Sequence, residues 1–303
     1  MTSLGPGRSD RAGFTLTELV VALAVLSIII SQFLLAFSNQ QSNYHEHETV
    51  VDAQQDARAV MELILDDLRM AGFMVPKQAG AWSLDGGPNG SDVLCASDPA
   101  VIAESRFSAS NGRFDGARLT AALGGAATSV SLDPATLDVD ADGNDDFSAG
   151  QGILVTDGDE SHCAVITAVG GGTVSFDVST PGGFAVAPPQ ARAVPANVYR
   201  VAGNRLTRNG QVLSTQVEDL QVEFGVDEDA DGDVEAAEFP IHDLSGSSLD
   251  QIRTARVYVT VQTPRPDPDF AGGYTAAANR AAGPADTFRR RRLIGDATLR
   301  NMR

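Results

Sequence analysis

The chain has 303 residues, 43% of them hydrophobic, with 22 Lys+Arg against 40 Asp+Glu, a formal net charge of −18 and a pI near 4.4. That apolar content suffices for one sizeable core or two small ones, which excludes a disordered tail. So acidic a surface excludes nucleic acid as a general partner, because phosphate binding needs clustered cations, and the sole lysine is Lys77.

Residues 1–13 form a short leader carrying Arg8 and Arg11. From Phe14 to Phe37 the chain is apolar except for Thr15, Thr17, Glu18, Ser27, Ser31 and Gln32. An ordinary secretory signal places its small-residue cleavage site after the apolar stretch. Here Gly13 stands before it, so processing at Gly13 leaves the apolar helix on the mature protein. At ~1.5 Å per residue that stretch is long enough to cross a hydrocarbon core of ~30 Å. The ionisable Glu18 inside it is costly, at ~2.5–3.5 kcal/mol on insertion scales.

No Gly or Pro interrupts residues 14–71, so one helix is predicted to continue past the membrane half (14–37) into a polar half (38–72). There Val50, Ala53, Ala57, Val60, Ile64, Leu68 and Ala71 recur every three or four residues, the stripe of an amphipathic helix. Gly72 and Pro76 supply its stop.

Residues 73–303 are expected to form a β-rich globular head, and from about residue 90 the texture changes to short β-branched runs broken by Gly, Asn and Asp. "QGILVTDG" (151–158), "CAVITAVGGGTVSFDV" (163–178), "NVYRVAGNRLTRNGQVLS" (197–214), "LQVEFGV" (220–226) and "ARVYVTVQT" (255–263) read as strands, with "RNGQ" and "VGGGTV" as hairpin turns. Strand follows strand without intervening helices, so an antiparallel sheet with the helix on one face is predicted, an α+β architecture. Two cysteines, Cys95 and Cys163, permit one disulfide in an exported protein, worth about 4 kcal/mol for a loop of that length. The alternative is two separate buried thiols.

Residues 227–238, "DEDADGDVEAAE", fit the calcium-loop pattern D-x-[DN]-x-[DN]-G-x5-E. Asp227, Asp229 and Asp231 offer hard oxygens at alternate places, Gly232 allows the sharp turn, Asp233 offers its backbone carbonyl, and Glu238 can close the shell bidentately. One calcium ion is the expected cofactor. The alternative is a solvated acidic turn, and Pro240 leaves little room for a second helix. A shorter echo, "DVDADGNDD" (138–146), has Asp138, Asp140, Asp142 and Gly143 but Ala149 where the closing acid belongs, and reads as a solvated loop tip.

No catalytic constellation is present in the sequence, and no enzyme is expected. His45 and His47 have i,i+2 spacing, which points their rings apart on a helix; H-E-x-x-H, G-x-S-x-G and G-K-[ST] do not occur. Arg289–Arg292 form a basic cluster that alternates along a final strand, suited to pairing with acids of the same chain or of a neighbour.

The string Gly13-Phe14-Thr15-Leu16-Thr17-Glu18 resembles the processing signal of type IV prepilins and of type II secretion pseudopilins. Thr17 departs from the commoner aliphatic residue. Four further pieces resemble PilW-type minor pilins: "DARAVMELILDDLRMAGF" (56–73), "ANVYRVAGNRLTRNGQVLSTQVEDLQVEFGVDEDADGDVE" (196–235), "IRTARVYVTVQTP" (252–264) and "RRRRLIGDATLRNM" (289–302). The resemblance implies a type IV pilin fold and cleavage after Gly13 by a prepilin peptidase, with N-methylation of Phe14. It further implies pairing of Glu18 with the N-terminal ammonium of a neighbouring subunit, so that two charges untenable alone become tolerable together. The implied protein is a single-pass inner-membrane precursor with a periplasmic head that joins the major pilin and other minor pilins at the cell surface. Such a subunit primes assembly and supports a tip adhesin. The alternatives are a J-like minor pseudopilin and a membrane-anchored, calcium-dependent binding module.

Overall fold

The computed structural model describes residues 15–73, 75–98, 116–138, 143–244, 247–268 and 270–302, with side chains for all of these except 39 and 42–49. Gly13, Phe14, Asp140 and Asp142 lie outside the described residues, as do the side chains of His45 and His47. The architecture is α+β and type IV pilin-like: one long helix, α1 (Leu16–Met70, 55 residues), precedes a β-rich head. The chain divides into two compact units, Met1–Val51 and Asp52–Arg303.

In the first unit Leu16–Ser38 is a 23-residue apolar stretch of mean hydropathy 2.7, none of it buried, and long and apolar enough to cross a membrane. Two of its hydroxyls are satisfied within the helix. Ser27 donates to the Ala24 carbonyl at 2.8 Å and Ser31 to the Ser27 carbonyl at 2.7 Å, as polar groups in hydrocarbon must be. Glu18 is therefore the one charged residue of that stretch.

The second unit begins at Asp52 rather than at residue 73, because the last turns of α1 belong to its core. Ala53, Ala57, Val60, Ile64 and Leu68 are buried at the spacing of one helix face, and Met61 and Leu65 widen the stripe. The helix stops at Gly72, whose φ of +79° favours glycine. A Cβ there would also stand 2.6 Å from Met302 Cγ, so the same residue admits the C-terminal turn against the helix end.

The strands, in chain order, are β1 (Ala81–Leu84), β2 (Val93–Ser97), β3 (Ala117–Arg118), β4 (Leu123–Gly124), β5 (Ser129–Ser131), β6 (Gly152–Thr156), β7 (Ser161–Gly170), β8 (Thr173–Phe176), β9 (Ala185–Val186), β10 (Arg192–Ala202), β11 (Arg205–Arg208), β12 (Gln211–Ser214), β13 (Val217–Val226), β14 (Ile252–Gln262), β15 (Gly272–Gly273), β16 (Ala285–Asp286) and β17 (Arg290–Thr298). All pairings are antiparallel. The larger sheet runs β1-β2-β10-β6-β7-β8-β5, and β10 also pairs with β3 and β11; the second runs β13-β14-β17. The Asn209-Gly210 and Gly171-Gly172 turns have positive φ at both residues, the two-residue hairpin geometry that matches strand twist. The run 197–214 holds a third such turn at Gly203-Asn204, where β10 ends and β11 begins.

Two cores result. One lies largely within the larger sheet, around Ile153, Leu154, Ile166 and Val194. The other joins α1 to β13, β14 and β17 through Ile64, Leu68, Leu220, Val257 and Ala297. Cys95 on β2 and Cys163 on β7 are disulfide-bonded, with Cα atoms 6.5 Å apart. Strands β10 and β6 stand between β2 and β7 in the sheet order. Three flat strand spacings would separate them by ~14 Å, so the sheet curls and the bridge closes the curl.

Candidate functional site

Two places in the described chain carry chemistry: the helix start and the acidic loop after β13. At the helix start the Thr15 N–H and the Thr15 hydroxyl both donate to Glu18 Oε2 at 2.9 Å, and the Glu18 N–H donates back to Thr15 Oγ1 at 3.3 Å. Thr15 precedes the first helical residue and Glu18 is the third, which makes this a capping box. Glu18 thus holds a local role in the isolated chain besides the assembly role its resemblance implies. The box itself requires no charge, since Gln forms it as well as Glu. Around it Leu16, Leu19, Val20 and Val21 are exposed.

The acidic loop leaves the end of β13. Asp227 is 1% exposed and receives Arg253 Nε on Oδ2 at 3.1 Å. Arg253 also donates through Nη1 to the carbonyls of Asp250 and Met302, so one guanidinium fastens the loop to the C-terminal turn. Gly232 sits at φ +99° and Ala230 at +60°, and the Asp231 and Asp233 amides donate to the carboxylates two residues earlier. Glu238 is buried: its Oε1 accepts the Glu228 amide at 2.7 Å and its Oε2 the Glu235 amide at 3.0 Å. Its own hydrogen bond with Glu238 and the nearby charge of Asp231 push the Glu235 carboxyl up, while the Glu235 amide holds Glu238 down.

Asp227, Asp229 and Asp231 bring one oxygen each within 4.8 Å of one another, and so do Asp229, Glu235 and Glu238. The sequence reading assigns no ligand role to Glu235, although its ninth place in the loop was visible. The Asp233 side chain belongs to neither group. Arg253 is invisible to a motif scan because it lies 26 residues from Asp227.

Three of the four arginines of the basic cluster bond within the chain. Arg290 reaches Glu218 at 2.5 Å and Asp286 at 2.6 Å, and holds the Asp286 carboxyl down to about 2. Arg289 pairs with Asp267 at 2.6 Å, and Arg292 donates to the Ala276 carbonyl at 2.7 Å. Of the described histidines, His162 is buried between Phe176 and Phe184, and burial lowers its pKa; His242 lies 3.9 Å from Glu223.

Comparison with known proteins adds one finding. Residues 8–31 match the family model described as the prokaryotic N-terminal methylation motif. No curated protein and no solved structure matches the chain. The N-terminus is type IV prepilin-like, a motif that implies processing by a prepilin peptidase and assembly with other pilins, and the apolar helix behind it suits membrane anchoring before assembly.

Proposed function

We propose that this chain is a PilW-type minor pilin, a non-enzymatic, low-copy subunit that joins the major pilin and other minor pilins, primes filament assembly and takes part in a tip complex that supports an adhesin. Its head faces the periplasm before assembly and the cell surface afterwards. The observation that carries the reading is a lone carboxylate, Glu18, in an exposed apolar helix inside a methylation motif. In hydrocarbon that charge needs a partner, and a peptidase that cuts after Gly13 creates one at the Phe14 amine of a neighbouring subunit. The four PilW-like pieces, one at the end of α1 and three in the β-rich head, support the finer assignment over a pseudopilin, which shares the motif.

Glu18→Gln separates the two roles of that residue, since the amide keeps the capping box and loses the charge. The mature chain should begin at Phe14 in the wild type and in the variant. Incorporation of the variant into sheared filaments should fall by ~10-fold or more, the effect of leaving one member of a buried ion pair uncompensated. Wild-type incorporation of Glu18→Gln would reduce the residue to a helix cap. Recovery of the wild-type protein only from a secretion complex, and never from filaments, would make it a pseudopilin.

A further inference from the structure

Crowded carboxylates occur on many acidic surfaces without an ion, so the cluster at 227–238 means little by itself. Asp227 distinguishes it. Its side chain is 1% exposed, Oδ2 is taken by Arg253, and Oδ1 is buried with no hydrogen-bond partner. A buried carboxylate oxygen without a donor is costly and rare. This residue brings an oxygen within 4.8 Å of those of Asp229 and Asp231, and Asp229 also belongs to the group with Glu235 and Glu238.

We infer that the orphaned oxygen is a ligand position and that the loop binds one calcium ion through Asp227, Asp229, Asp231, Glu235 and Glu238, with Arg253 as a positioning residue. The donor set is all oxygen, which suits a hard cation and not zinc. Calcium takes six to eight such ligands in flexible geometry, whereas magnesium demands a tight octahedron and keeps its waters. The Glu228 and Glu235 amides orient the Glu238 carboxylate, and Arg253 orients that of Asp227, the outer-shell support that ligating carboxylates ordinarily have. The inference stands whether the chain serves a pilus or a secretion piston.

The test uses the full mature chain in detergent micelles, stripped with chelator and titrated calorimetrically with calcium chloride. Asp229, Asp233 and Glu235 are exposed, so Asp229→Asn, Glu235→Gln and Asp233→Asn leave the fold intact. The wild type should bind one ion per chain with Kd in the ~10⁻⁵–10⁻³ M range. Asp229→Asn should weaken binding ~10-fold or more, since affinity follows the number of ligand charges, and Glu235→Gln ~3–10-fold. Asp233→Asn, whose side chain is outside both groups, should stay within ~2-fold, and equimolar magnesium should not displace calcium. Three results would overturn the assignment: no saturable calcium heat, equal weakening by Asp233→Asn and Asp229→Asn, or equal competition by magnesium. The last two describe a diffuse acidic field, which attracts any cation by net charge alone.

Discussion

Replacing Asp67 with alanine tests how the end of α1 is fastened to the larger sheet. Asp67 Oδ2 accepts the Tyr199 hydroxyl at 2.6 Å and Arg208 Nε at 3.1 Å, and Oδ1 accepts Arg208 Nη2 at 3.0 Å. Burial raises the Asp67 pKa, against the opposing pull of the Tyr199 hydroxyl and Arg208. Tyr199 is 0% exposed, so its hydroxyl would lose its acceptor inside the core, at ~1–3 kcal/mol. Arg208 is 31% exposed and turns to water, which limits its share to about 1 kcal/mol. Alanine returns roughly 0.5 kcal/mol as the better helix former. The net loss is ~2–3 kcal/mol, or roughly 4–12 °C in Tm for a domain of this size.

Among the described residues both cores draw only on those from Ala53 onward, so urea unfolding of a soluble chain starting at residue 39 reads this loss directly. Tyr199→Phe alone should cost ~1 kcal/mol. In that background Asp67→Ala should cost ~1–2 kcal/mol less than in the wild type, the mark of a shared contact. A loss under ~0.5 kcal/mol for Asp67→Ala, the range of neutral surface changes, would refute the reasoning.

Two further outcomes follow from the same head. Burial pushes Asp92 up to about 6, against the amides of Gly86 and Val222. A folded-state pKa above the unfolded ~3.9 means that the native state binds more protons between pH 4 and 6, so this residue's contribution to stability is fully present below pH 4 and declines as pH rises through 6. The decline is on the order of 2–3 kcal/mol, and the stability difference between wild type and Asp92→Asn should shift by that amount across the window in denaturant midpoints at pH 4 and 7. Reduction of Cys95–Cys163, which spans 68 residues, should lower stability by about 4 kcal/mol in the chain-entropy model. The paired Cys95→Ala, Cys163→Ala variant should match reduced wild type and no longer respond to reductant.

What could be read from the sequence was whatever is encoded over short distances. The 3.6-residue stripe from Ala53 to Ala71 gave the buried face of α1, and the "RNGQ" and "VGGGTV" turns gave hairpins, because each rests on local backbone preference. The Gly203-Asn204 turn is encoded just as locally, since Gly-Asn between two strand runs is itself a hairpin signal, and a reading that divides the run 197–214 only at Asn209-Gly210 passes over it. The Asp219 cluster was illegible for a different reason: Ser91, Tyr274 and Arg280, which all contact its buried carboxylate, lie 55–128 residues away in the chain. Of the acidic loop, the spacing of five acids was legible. Arg253 and the orphaned Asp227 oxygen depend on how β13 and β14 meet.

Among the described residues the outer edge of β13 has no neighbouring strand, yet it is not bare. Asp92 donates its N–H to the Leu220 carbonyl at 2.8 Å and receives the Val222 N–H on its carboxylate at 2.7 Å, and Ile241 exchanges two backbone bonds with Phe224 farther along. A carboxylate and one bridge thereby occupy positions that a foreign strand would need. Unsealed edges invite templated addition of other chains. This sheet therefore cannot be extended from the β13 side without first displacing a side chain, which leaves the β17 side as the direction in which it could lengthen.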